Sequence, residues 1–215
     1  AEVKAVKNAV EGVTLNDVVL ATVGGALRRY LQDKDELPAG SLGAGAPVSV
    51  RTENQAGTAG NQVSAMNLSL RTDIEDPLER LQAIHELAVQ SKASFSDMGD
   101  NTLTSIADNV SAALGALTSK AMTAATWLQE MPMATHTIVS NVPGPQHDMF
   151  MNGAKLRTVM GLGPLLDNMG LFHAVMSIAG ELTITFCACR EMLPDPDFYK
   201  ECLQDSFDEL KAATP

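Results

Sequence analysis

The sequence predicts one α/β domain, residues 1–215, with a mixed β-sheet flanked by helices, and three observations carry that reading. Strand-like and helix-like segments interleave without the regular strand–helix rhythm of a parallel sheet. The segment LFHAVMSIAGELTITFCACR reads as a β-hairpin turning at Ala179-Gly180-Glu181. At 215 residues the chain can bury a sizeable core, and no internal repeat or low-complexity linker divides it.

The elements follow in order. Residues Glu2 to Val10 suit a short helix, and Gly12 then gives a turn. Thr14 is an N-cap for a helix running to about Leu31, whose apolar side carries Val18, Val19, Thr22, Val23, Ala26, Leu27 and Tyr30. ELPAGSLGAGA reads as loop and PVSVR as a short strand, and glycine-rich NQAGTAGN leads to a longer strand, QVSAMNLSLRT. Asp76-Pro77 opens a helix with Leu78, Leu81, Ile84, His85, Ala88 and Val89 at helical spacing. Residues 102–131 carry only Asp108, Lys120 and Glu130 as charges and are expected to form helices, broken near Gly115 or Ser119, with an apolar strip for lipid or for a partner. THTIVSN is an apolar strand, AKLRTVMGL a second, and the hairpin follows with Leu182, Ile184, Phe186 and Ala188 on one face. LPDPDFYKECLQDSFDELKAA closes as a capped helix.

Composition removes several function classes. A net charge of −11, a sequence pI near 4.7 and basic residues that never cluster beyond Arg28-Arg29 argue against nucleic acid. Cys187, Cys189 and Cys202 form no metal-like spacing, so no metal site is expected and a reduced, cytoplasmic compartment fits best. No signal peptide opens the chain, and no apolar run of about 18 residues marks a membrane span. The start at Ala1, without an initiator Met, fits a processed N-terminus and a piece of a longer protein equally. The 11 methionines suit irregular apolar surfaces, pockets for flexible ligands among them.

The catalytic inventory is thin. His85, His136, His147 and His173 share no motif; the first reads as structural, His136 and His173 as satisfied core or interface residues, and His147 as solvated. Nucleophile-elbow, zinc-protease, CxxC and P-loop patterns are missing, and the glycines of GLGPLLDNMG do not sit between a strand and a helix. Asn16-Asp17 at a helix start is explained by capping. SNVPGP, Ser140 to Pro145, raises a sharper question, because prolines and a glycine directly follow an apolar strand. A plain turn accounts for it; so does a strand end that aims Ser140 and Asn141 into a site.

Taken together, GVTLNDVVLATVGGALRRYL, SNVPGP and GELTITFCACREMLPD resemble the C-terminal half of bacterial wax ester synthase/diacylglycerol acyltransferases, and GNQVSAMNLSLRTDIEDPLERL matches in style. The resemblance covers nearly the whole chain. It implies one half of a two-domain, chloramphenicol-acetyltransferase-like fold with a tunnel between the halves. It implies transfer of a fatty acyl group from acyl-CoA, a co-substrate, to a long-chain alcohol or diacylglycerol, with no other cofactor. In that family the general-base histidine belongs to an HHxxxDG motif in the N-terminal half; these 215 residues contain no HHxxxDG, so no catalytic residue is expected here and this chain alone is expected to be inactive. Carried over residue by residue, Ser140, Asn141 and Gly144 become tunnel-lining or acyl-CoA-binding positions, while Asn16, Asp17, Pro143 and Pro145 are mainly architectural. The implied partners are the N-terminal half, acyl-CoA and the acceptor, with peripheral contact to the inner membrane or lipid inclusions. The chain departs from many members at Leu171-Phe172-His173 and Ser177-Ile178-Ala179-Gly180, where Leu-Asn-Ile and Ser-Tyr-x-Gly are usual. A non-catalytic lipid-binding or lipid-inclusion-targeting module is the alternative, and a peptide-synthetase-like condensation half a third.

Overall fold

The computed structural model describes residues 2–49, 63–97, 135–167 and 169–214. Among the described residues four helices, α1 (Glu2–Ala9), α2 (Leu15–Asp33), α3 (Pro77–Asp97) and α4 (Pro196–Ala213), form one layer in which α2 and α4 each touch the other three. They lie against a five-stranded mixed sheet of order β2-β1-β3-β6-β7, made of β1 (Gly43–Ser49), β2 (Val63–Ser69), β3 (Thr137–Pro143), β6 (Leu171–Ile178) and β7 (Glu181–Ala188). A small separate hairpin joins β4 (Phe150–Met151) to β5 (Ala154–Lys155). The helices expected over 102–131, and Gly60-Asn61 at the start of GNQVSAMNLSLRTDIEDPLERL, lie outside the described residues.

The sheet is mixed because β1–β2 and β6–β7 are antiparallel hairpins, whereas β3 pairs in parallel with both β1 and β6. Register fixes which side chains meet the helices. Val139 pairs with His173, and His173 with Phe186, so one face carries Thr137, Val139, His173, Val175, Ile184 and Phe186. That face packs on a core of Leu20, Val23, Leu81, Ile84, Tyr199 and Leu210. Leu182, Ile184, Phe186 and Ala188 do turn to this core together, as the alternation predicts. The β6–β7 turn is Ala179-Gly180, both with positive φ, the conformation that matches strand twist in a two-residue hairpin.

Helix α2 is buried nearly all round, which explains its double glycine. A Cβ on Gly24 would lie 2.2 Å from the Leu70 carbonyl oxygen, and one on Gly25 would lie 2.2 Å from Ser206 Oγ and 2.6 Å from Arg80. Strand end, helix and guanidinium therefore meet where only glycine fits. Arg80 is itself buried and donates to the carbonyls of Ala21 (3.3 Å), Ile74 (3.0 Å) and Glu75 (3.2 Å). Desolvation holds its pKa below the ordinary arginine value.

Several elements differ from the sequence-based expectation. The GAGA segment read as loop is the first half of β1, where small Ala44 and Ala46 sit buried beneath the helices. The strand expected over 154–162 shrinks to Ala154–Lys155, because the following residues cross the sheet's other face instead of pairing. There the Gly161 carbonyl accepts the Thr185 hydroxyl at 2.6 Å, and Gly163 lies so near Phe172 that a Cβ would be 2.2 Å from its ring. Asp195 does not cap α4 through its side chain; it pairs with Lys34 at 2.6 Å, and Pro196 opens the helix. Val89 is exposed rather than packed. Among the described residues no helix is long and apolar enough to cross a membrane.

Candidate functional site

The strand that carries SNVPGP does not stop at Asn141. The parallel ladder continues through Val142 opposite Met176 and Pro143 opposite Ser177, two residues further than the prolines suggested. Proline is tolerated because it is the final residue of the strand and the ladder has only one partner there. Strand β1 pairs with β3 through Ala44–Thr137 and Gly45–Ile138, and among the described residues no ladder pair with β1 is formed by residues 139–143. Asn141 thus lies within the β3–β6 ladder, past the last β1–β3 pair, rather than at the strand's end.

Pleating separates the two polar candidates. Asn141 shares the helix-side face with Val139 and Pro143, whereas Ser140 shares the opposite face with Ile138 and Val142. Both are half-buried. No hydrogen bond joins either side chain to another described residue in the network around them, in which Gln146 ties the turn instead. The Gln146 amide donates to the Gly144 carbonyl (2.9 Å) and the Ser177 carbonyl (3.2 Å), and Gly144 N–H donates to Ser177 at 2.8 Å. Gly144 fits tightly, since a Cβ would approach Ile178 to 2.7 Å. Pro145 accepts the Ala179 N–H at 3.0 Å, which links the turn to the β6–β7 hairpin. Gln146 carries no motif signal; only its place after the turn hinted at a role.

Asp17 has a built environment. It completes a capping box with Thr14: Thr14 N–H donates to Oδ2 at 2.8 Å, and Asp17 N–H to the Thr14 hydroxyl at 3.3 Å. Buried Oδ2 also lies 2.9 Å from His85 Nδ1, so α2 and α3 are joined by the Asn-Asp segment. Asn16 sits half-buried beside it in the first turn. The His85 ring lies 2.9 Å from where a Gly12 Cβ would be, and Gly12 has φ +77°, so that turn requires glycine twice over.

The other histidines are committed to structure or exposed. His136 Nδ1 accepts the Gly43 N–H at 2.9 Å. His173 is fully buried between Thr137 Oγ1 (3.1 Å) and Tyr199 Oη (2.7 Å), and desolvation lowers its pKa to about 4. His147 is exposed in the loop.

Two surfaces have the character of binding sites. One is a cavity of about 740 Å³ where the ends of β3 and β6 meet α1, α2 and α4; Pro143, Gln146 and Ser177 line it, but Ser140 and Asn141 do not. The other is an exposed apolar strip after β3, with Phe150 at 64%, Met151 at 78%, Met160 at 71% and Leu162 at 82% exposure. Soluble surfaces seldom gather so many large apolar side chains on one short segment.

Comparison with known proteins matches this architecture. Residues 59–211 match the family model described as the WS/DGAT C-terminal domain. A candidate diacylglycerol O-acyltransferase of Mycobacterium tuberculosis H37Rv, Rv3740c, is 35% identical over 212 residues, covering 98% of this chain and 46% of its own length. Rv2285 of the same strain, similarly named, is 34% identical over 212 residues, 98% and 45% respectively. The solved wax ester synthase/diacylglycerol acyltransferase of Marinobacter aquaeolei VT8 superposes with a TM-score of 0.76 at 27% identity, over 99% of this chain and 46% of that one. The epimerization domain of tyrocidine synthetase B shares the fold alone, with a TM-score of 0.52 at 14% identity. The chain spans about half the length of these relatives. Its sequence, its mixed sheet with a helical layer and these matches agree: the chain belongs to the wax ester synthase/diacylglycerol acyltransferase family and corresponds to that family's C-terminal domain.

Proposed function

We propose that this chain is the C-terminal half of an acyl-CoA-dependent O-acyltransferase that esterifies a long-chain alcohol or diacylglycerol. The observation that carries the reading is Asn141, an uncharged amide with no hydrogen-bonded partner among the described residues, on a strand fixed by β6 and past its last pair with β1. Such a group supplies a donor and an acceptor to a mostly apolar tunnel without the cost of a buried charge. In this scheme the acceptor hydroxyl loses its proton to a histidine of the N-terminal half. Its oxygen attacks the thioester carbonyl, the carbon–sulfur bond breaks and CoA leaves as the thiol. Asn141 steadies the thioester oxygen or the pantetheine arm as negative charge develops. Ser140, on the opposite face, is left to contact the other side of the substrate path, and Gly144 keeps the turn tight. The apolar strip of Phe150, Met151, Met160 and Leu162 is the docking face for the N-terminal half. The enzyme works in the cytoplasm, at the edge of the membrane or of lipid inclusions from which it draws its acceptor.

The test is acyl transfer by the chain joined to its N-terminal half, wild type against Asn141→Ala. Loss of one useful hydrogen bond, about 1.4–2.7 kcal/mol, lowers kcat/KM by roughly one to two orders of magnitude. A folded variant with normal turnover removes Asn141 from the mechanism.

A further inference from the structure

The cavity between the sheet and helices α1, α2 and α4 has a feature that the acyl-transfer reading does not use. Its walls are apolar, with Val19, Ile184, Leu203 and Phe207 among them, yet Lys4 and Lys200 both line it and are themselves exposed at its mouth. Among the described residues neither lysine takes part in an ion pair, and of the others Lys7 shares this while Lys34, Lys155 and Lys211 are paired. Two open cations at the mouth of an apolar cleft stand out in a chain with 26 acidic and 15 basic residues.

We infer that this cavity binds a long-chain fatty carboxylate, tail against the apolar wall and head between Lys4 and Lys200. The volume of about 740 Å³ falls within the usual range for a small-molecule site. Lysine suits the head group, because its ammonium stays hydrated at a rim while its stem covers apolar surface. A single carboxylate matches the local charge better than a polyphosphate does. Glu2 at the same mouth is already held by Lys211, and Glu181 stands at the hairpin side, where it repels a multiply charged group. Ser140 and Asn141 lie outside the cavity wall, so this site stands or falls independently of their role in acyl transfer.

Photolabelling of the chain joined to its N-terminal half, with a diazirine-bearing hexadecanoic acid and with the matching hexadecanol, tests the assignment without requiring turnover. Adducts should map to peptides holding Val3 and Leu15, Leu182 and Ile184, or Leu203 and Phe207. The double variant Lys4→Glu/Lys200→Glu should lower that labelling roughly tenfold, as should replacing the acid by the alcohol, since two rim attractions of modest strength become repulsions or vanish. The charge-matched control Lys7→Glu/Lys155→Glu should label like wild type. Lys4, Lys155 and Lys200 are exposed and Lys7 is half-buried, so circular dichroism should show every variant folded. Adducts confined to other peptides, labelling unaffected by Lys4→Glu/Lys200→Glu, or equal labelling by acid and alcohol would each overturn it.

Discussion

Tyr199 Oη and His173 Nε2 lie 2.7 Å apart, and both residues are fully buried where α4 crosses β6. On the other side of the ring, the Thr137 hydroxyl donates to the Leu171 carbonyl at 2.9 Å and is left to accept from Nδ1. The imidazole is therefore neutral, with Nδ1 protonated and Nε2 accepting from the phenol. The pair ties the C-terminal helix to the centre of the sheet through one continuous polar chain.

This neutral histidine makes stability depend on pH. Burial lowers the folded-state pKa from 6.5 to about 4, so the unfolded chain binds a proton more readily between those values. The contribution is fully present above about pH 6.5 and is lost as pH falls toward 4, at a slope approaching 1.4 kcal/mol per pH unit, about 3 kcal/mol in all. Urea unfolding of wild type and His173→Phe at pH 7 and pH 5 measures it. The variant should be less stable at pH 7 and lose less on acidification; parallel losses in both would contradict the assignment.

The double glycine of α2 is a packing requirement. Gly24→Ala offers roughly 1 kcal/mol of helix propensity but drives a methyl into the Leu70 carbonyl oxygen, 2.2 Å from the ideal Cβ position. Overpacking of this kind costs about 1–3 kcal/mol, so the balance is destabilising. Thermal unfolding should show a lower Tm for Gly24→Ala, and lower still for Gly25→Ala, which meets both Ser206 and the buried Arg80. A raised Tm in either would show that the layers separate freely.

Asn141 and Gln146 should separate chemistry from turn-holding. Gln146→Ala removes two amide contacts at 2.9 and 3.2 Å, and should lower stability by about 1 kcal/mol. Asn141→Ala removes none between described residues and should leave Tm within the scatter of surface substitutions. The reverse ordering in calorimetry would make Asn141 the turn residue.

Much of the frame was legible in the sequence. The capping residue Thr14, the burial of the apolar residues of α2, the Asp76-Pro77 helix start and the period-two alternation of Leu182, Ile184, Phe186 and Ala188 are local signals, and each kept its meaning in the fold. What the sequence hid was decided by contacts far apart in the chain. GAGA reads as loop by composition, but β2 on one side and β3 on the other recruit it as a strand. Buried Arg80 looks like any helix-surface arginine until α2 and the segment before α3 supply carbonyls for it. The opposite-face placement of Ser140 and Asn141 follows from the pleat once β3 is seen to continue to Pro143.

The apolar strip should control assembly. In the chain by itself the strip should drive self-association, and Phe150→Asp with Leu162→Asp should reduce it in sedimentation velocity without changing Tm, because both side chains are largely exposed. In the joined protein the same pair should lower activity by loosening the halves. Unchanged self-association and unchanged activity would mean that this strip is not a docking face.

Acyl transfer by two purified proteins, this chain alone and this chain joined to its N-terminal half, tests the central claim most directly. Each is supplied with a long-chain acyl-CoA and either hexadecanol or diacylglycerol, and release of the CoA thiol is followed together with ester formation. Ester and stoichiometric thiol are expected from the joined protein, and neither above background from the chain alone. Ester formed by the chain alone, or none formed by a folded joined protein, would contradict the claim.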